Sequence, residues 1–200
     1  MVVPGQTSLS FAYLALAASL LQVRGEGALL LPVVAPHVHA FFYLWYGNPQ
    51  TDGRYLHWDH EVLPHWTKAT RDRYPHGHKH NVEAGEIHSP FFPARGTYSS
   101  NDAATLDDQM RELKRAGIGT VILSWWGQAS REGTSDTQGV QTDHTIANVI
   151  AAVERAGDMF WGVHMEPYPG RTADTVREDV QYLIERSVCA SSWLLSRYIY

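Results

Sequence analysis

Residues 104–127 read ATLDDQMRELKRAGIGTVILSWWG, and the order of signals in this stretch decides the fold. Leu106, Met110 and Leu113 recur at helical spacing. Arg115-Ala116-Gly117 then places glycine where a left-handed C-terminal cap is wanted. An apolar run rich in β-branched residues follows, Thr120 to Trp126, and reads as a strand. The same unit recurs about 40 residues on: Ile146, Val149, Ile150 and Val153 precede Arg155-Ala156-Gly157, and a strand-like run spans Phe160 to Glu166. A third helical pattern joins Val176, Val180, Leu183 and Ile184. Strand alternating with helix predicts an α/β fold with a parallel sheet.

Upstream, His39 to Trp66 read HAFFYLWYGNPQTDGRYLHWDHEVLPHW. A strand-like run from Phe41 to Tyr46 ends at Gly47-Asn48-Pro49 and opens into a loop carrying Trp58, Trp66, Tyr55 and three histidines. Aromatic faces beside hydrogen-bonding tips suit a sugar, which has apolar C–H faces and a hydroxyl rim. The competing reading is a core of large side chains, since Trp and Tyr are often mostly buried. A Rossmann domain is a poor fit, because Gly47-Asn48-Pro49 has neither the glycine spacing nor the following helix. A (β/α)₈ TIM barrel carries its functional residues at the C-terminal strand ends, where Tyr46, Trp126 and Glu166 all fall. Such a barrel needs about 250 residues, so the 200 here predict an incomplete barrel of about three βα units. On this reading the first strand lies centrally in the sheet, and Val121, Leu123 and Val163 point into the barrel and lack an opposite wall.

The composition is globular: 44% hydrophobic against 18% charged residues. With a net charge of −5 and no long basic run, nucleic acid is not an expected partner. The only cysteine is Cys189, which rules out an intrachain disulfide and thiol-rich metal sites. Phe11 to Val23 is apolar and of the length of a signal-peptide core, although no Lys or Arg precedes it. Residues 1–25 are therefore expected to be a signal peptide or short signal-anchor, with a buried first helix as the alternative. Residues 26–36 read as a linker, 37–186 as the partial barrel, and 187–200, without cap or turn chemistry, as an atypical tail.

Several candidate chemistries weigh little. His164-Met165-Glu166 begins like a zinc deaminase, but that chemistry also needs a Pro-Cys-X-X-Cys pair. His76-Gly77-His78-Lys79-His80, with Pro75 before it, Gly77 in it and an unpaired lysine inside, reads as a solvated loop, and no metal or other cofactor is expected. Ser124 lacks the Gly-X-Ser-X-Gly elbow. Glu166 stands out, because it ends an apolar strand and Pro167 follows it. A half-buried carboxylate there is either an ion pair, with Arg171 nearby, or a binding and acid–base group.

Taken together, FYLWYGNPQTDGRYLHWDHEVLPHW, ATLDDQMRELKRAGIGTVILSWWG and GVHMEPYPGRT resemble glycoside hydrolase family 99, the endo-alpha-1,2-mannosidases, from about His37 to Arg186. The resemblance implies a (β/α)₈ barrel that cleaves glucosylated mannose arms of N-glycans, or of glycoproteins carrying them, with retention and without a metal. It implies the secretory pathway, the Golgi above all, with membrane attachment only if the N-terminal segment is kept as an anchor. By the resemblance, Tyr46 is a sugar-binding tyrosine, Trp126 a stacking residue, and Glu166 with Tyr168 part of the strand-end rim. His57 and Trp58 carry over on loop similarity alone. The family's catalytic carboxylate pair is expected further along the barrel, in a segment that these residues do not match, so no catalytic residue is assigned. The alternative function is a non-catalytic carbohydrate-binding or interaction protein.

Overall fold

The computed structural model describes residues 34–74, 77–190 and 198–199. The expected N-terminal signal segment, His76 and most of the tail lie outside the described residues. Strand β1 spans Ala35–Phe42, β2 Ile118–Trp125 and β3 Phe160–Met165. Short helices α1 (Pro49–Asp52) and α2 (Lys68–Arg73) lie in the long connection after β1. The main helices are α3 (Ala103–Arg115), α4 (Asp143–Ala156) and α5 (Ala173–Ala190). The sheet is parallel in the order β1-β2-β3, and a two-residue strand β4, Tyr198–Ile199, pairs with Gly162 and Val163. This is the alternation of a partial (β/α)₈ barrel.

The helices form where the periodicity puts them, and their ends are chemically specified. Asp102 caps α3, its carboxylate accepting from the Thr105 backbone N–H at 3.1 Å. The Thr105 hydroxyl also donates to that carboxylate and lowers the Asp102 pKa, with backbone N–H groups helping against partial burial. Gly117 and Gly157 both take positive φ, as the two Arg-Ala-Gly endings predict, although Gly157, with φ 61 and ψ 163, is not a left-handed helical cap. Lys114, in the last turn of α3, donates to the carbonyls of Ala156 and Gly157 at 2.7 and 3.3 Å. A cation thus sits on the C-terminal end of α4, where the helix dipole favours it.

The first correction concerns β1. The strand runs Ala35–Phe42, not Phe41–Tyr46, so Tyr46 lies four residues beyond its end. Residues 43–46 remain apolar and aromatic but pair with no strand. A second correction is position: β1 lies at the sheet edge, and β2 and β3 are central. The third concerns the faces. Val121, Leu123 and Val163 do not face an open barrel interior. They are 0–1% exposed and pack with Trp125 against Leu106, Met110, Ile146, Val149 and Val153 of the helices. The opposite face carries Phe41, Tyr43 and His164, with Phe41 51% and Tyr43 45% exposed. β2 hides this distinction in sequence, because it is buried along nearly all its length and shows no alternation. Ile184, expected on the apolar face of α5, is also exposed.

Candidate functional site

Parallel strands bring their C-terminal ends together, and three connections gather there. The Glu166 backbone N–H donates to the Trp125 carbonyl at 2.8 Å, so β3 extends beside β2 right up to Trp126. Tyr46 is tied to residue 100 in both directions, its N–H donating to the Ser100 hydroxyl at 3.1 Å and its carbonyl accepting from the Ser100 N–H at 2.7 Å. The third connection, residues 127–142, is folded back by Trp126 N–H donating to the Thr142 hydroxyl at 3.0 Å. Gly127 at its root has φ +101, and a Cβ there would come within 2.8 Å of the Thr134 methyl. Only glycine combines that backbone with that approach.

Glu166 sits at the strand end with its side chain 17% exposed. The Ser124 hydroxyl donates to Oε1 at 2.7 Å, while Oε2 is 3.6 Å from His164 Nε2. The ion pair with Arg171 does not form; Arg171 donates instead to the Met165 carbonyl at 2.9 Å. One carboxylate oxygen is therefore fixed by the strand beside it, and the other faces a 42% exposed histidine. Trp126 is half-buried, and its indole N–H is buried with no hydrogen-bond partner among the described residues. Tyr46 is half-buried too, and burial pushes its hydroxyl pKa up, so it remains a neutral donor.

The remaining sequence candidates are walls, not open surface. Trp58 is 2% exposed, its indole N–H donates to the Tyr98 carbonyl at 2.9 Å, and its ring lies 4.3 Å from that of Tyr46. Tyr168 is also 2% exposed; its hydroxyl donates to the fully buried Asp179 and accepts from Arg131 at 2.8 Å. Asp179 accepts from Arg131 at 2.7 Å and from Gln128 at 2.8 Å as well, so α5 anchors both ends of the 127–142 connection's first turn. Burial and the Asp179 charge raise the Tyr168 pKa. His57 has both ring nitrogens engaged, with Asp136 at 2.6 Å and Gln138 at 2.8 Å.

Sequence reasoning missed Asp136, Gln138, Asp143 and Asp179, the carboxylates and amide that hold these connections. Asp143 is 3% exposed and accepts from the Trp125 indole at 3.0 Å, the Ala129 N–H at 3.0 Å, the Tyr182 hydroxyl at 2.6 Å and Arg186 at 2.8 Å. Burial and that carboxylate push the Tyr182 pKa up to about 12. The partners lie 14–43 residues apart, beyond any local pattern. Among the described residues no group of three or more His, Cys, Asp or Glu is placed to hold a metal ion. A hollow of about 340 Å³ between α3 and α4 lies on the helical side, and its Arg155 is already paired with Asp107 at 2.7 Å.

Comparison with known proteins bears on this arrangement directly. Residues 33–192 match the model of Glycosyl hydrolase family 99. The chain is 34% identical over 176 residues to the glycoprotein endo-alpha-1,2-mannosidase of Mus musculus, covering 82% of this chain and 37% of that protein. It is 36% identical over 156 residues to the same-named protein of Rattus norvegicus, covering 78% and 32%. The chain thus spans about a third of the length of the curated relatives it matches. Among solved structures, the GH99 endo-alpha-mannosidase from Bacteroides thetaiotaomicron superposes with a TM-score of 0.64 at 25% identity, covering 84% of this chain and 46% of that one. With the fold, the strand-end placement and the family match in agreement, the chain belongs to glycosyl hydrolase family 99.

Proposed function

We propose that this chain supplies the first wall of a glycan cleft of an endo-acting alpha-1,2-mannosidase, whose substrate is the glucosylated mannose arm of an N-glycan. The observation that carries the reading is Glu166: a strand-end carboxylate held through one oxygen by Ser124, beside Trp126, with its other oxygen toward His164. A carboxylate oxygen accepts sugar hydroxyls, half-buried Trp126 offers a ring face, and Tyr46 a neutral phenol. In this reading Tyr46, Trp126 and Glu166 touch sugar. Trp58 and Tyr168 shape the walls behind them.

Turnover by a retaining glycosidase takes two carboxyl groups about 5–5.5 Å apart across the scissile bond. Asp136, Asp143 and Asp179 are buried and spent on internal hydrogen bonds, which speaks against any of the three as such a mate for Glu166. The 200-residue chain is therefore expected to bind glycan without cleaving it, as in the alternative of a non-catalytic carbohydrate-binding protein. The family's substrates point to the secretory pathway and the Golgi as the place of action. No helix among the described residues is long and apolar enough to cross a membrane.

The test is calorimetric titration with a glucosylated high-mannose glycan, with released oligosaccharide analysed in the same sample. Binding that is lost in Trp126→Ala, with no released oligosaccharide, is the expected result. Robust release would overturn the missing carboxylate pair, and no binding at all would overturn the cleft.

A further inference from the structure

Both ring nitrogens of His57 are engaged, and the bonds made by their partners decide which nitrogen carries the proton. The Glu61 backbone N–H donates to Gln138 Oε1 at 3.0 Å, which fixes the orientation of the Gln138 amide. Its Nε2 must then donate to His57 Nδ1, 2.8 Å away, so Nδ1 presents a lone pair. The single ring proton resides on Nε2 and is directed at Asp136 Oδ2, at 2.6 Å. The other Asp136 oxygen accepts from the backbone N–H groups of Gln138 and Val140 at 2.8 and 2.9 Å, closing the turn between them. Every polar atom in this ring of three side chains is satisfied, and no nitrogen of His57 remains for a ligand.

The ring faces are committed as well. Trp45 stacks on His57 at 4.5 Å and 7°, Tyr43 stacks on Trp45 at 4.1 Å and 10°, and Tyr46 meets His57 edge-on at 6.2 Å. The His57 side chain is 10% exposed. Its backbone takes φ +60, a region that non-glycine residues enter only when their surroundings over-determine them.

We infer that His57 is a positioning residue, held as one tautomer with its proton on Nε2, whose ring fixes the Trp45–Tyr46 wall against the connection of residues 127–142. It acts through Tyr46 and touches no sugar. The wall's role as a sugar surface rests on the function proposed above; the tautomer and the coupling do not.

The experiment is ¹⁵N NMR of the histidine rings in the full 200-residue chain at neutral pH, with Gln138→Glu as the perturbation. In the unsubstituted chain, His57 is expected to show the Nε2–H tautomer; an Nδ1–H or doubly protonated ring would overturn the inference. Gln138→Glu replaces the donor facing Nδ1 with an acceptor. The ring is then expected to become doubly protonated, and the Trp45 indole resonance to move with it. Unchanged His57 and Trp45 signals in a folded Gln138→Glu chain would overturn the coupling, and if that variant fails to fold, the tautomer of the unsubstituted chain still decides. Titration with the same glycan is expected to shift Tyr46 and Trp126 signals and leave the His57 ring nitrogens in place, with affinity weakened on the order of tenfold in Gln138→Glu. A large shift at the His57 nitrogens would make it a direct contact and overturn the positioning role. If no glycan binds, the proposed function fails while the ring spectra still decide His57.

Discussion

Glu166 and His88 show how much a single environment alters one side chain. Ser124 donates to one Glu166 oxygen and orients the carboxylate, so Glu166→Gln keeps the shape but removes the charged acceptor. A hydrogen bond to a charged group contributes about 1.5–3 kcal/mol, and glycan affinity is expected to fall roughly ten- to hundredfold in calorimetric titration, with the melting temperature little changed. Ser124→Ala is expected to weaken binding less, since the carboxylate stays in place but is free to turn. His88 lies 4.1 Å from the His60 ring and 5.3 Å from that of His80, with Lys79 nearby. Burial first, and then those neighbouring charges, lower its pKa to about 4. In the unfolded chain the same histidine takes its proton near pH 6.5. The unfolded state therefore binds more protons as pH falls from about 6.5 toward about 4, and the folded state loses stability over that window. The burial of His80 acts in the same direction. Denaturant melts between pH 7 and pH 4 should show this slope, and His88→Gln should flatten it.

Helices and their glycine ends are legible in the sequence because their signals are local: a 3.6-residue period, with Gly117 and Gly157 behind α3 and α4. The first strand was misplaced because Phe41 to Tyr46 is apolar for a different reason. Its aromatic rings stack on one another and on His57 instead of alternating across a sheet. The strand-end position of Trp126 and Glu166 was readable, whereas the immersion of Trp58 and Tyr168 was not, since it depends on Tyr98 and Asp179 from distant segments. The network on α5 illustrates the cost of such links. Asp179→Ala removes the acceptor for Arg131, Tyr168 and Gln128 together and leaves the Tyr168 hydroxyl buried. Breaking a buried charge pair costs ~3–5 kcal/mol, and the lower end is expected because Arg131 keeps Glu178 at 2.9 Å. Chemical denaturation should register it, and a change under about 1 kcal/mol would show that the network contributes little.

At the scale of the molecule, the two faces of the sheet have opposite fates. The helix-side core is closed, with Leu106, Met110, Val121 and Leu123 at 0% exposed. The other face leaves Phe41 and Tyr43 51% and 45% exposed, at the edge strand β1 and just beyond its end. An edge strand with apolar residues beside it is a template for pairing with another chain. The 200-residue chain is expected to self-associate at micromolar concentration by light scattering. A monodisperse monomer melting cooperatively above about 50 °C would show that this face needs no cover.

Gly119 has a consequence of another kind. A Cβ at this position would stand 2.4 Å from the Ala35 carbonyl oxygen, where β1 bends and its register with β2 shifts between Ala35 and His39. Its neighbours Ile118 and Thr120 are both β-branched. Sliding β2 by one residue in either direction would drive a branched side chain into that carbonyl while turning the whole strand over to its other face. The missing side chain thus works as a keyway: among the alignments two apolar strands could try, those one residue out of step are shut out by the backbone of the partner strand itself.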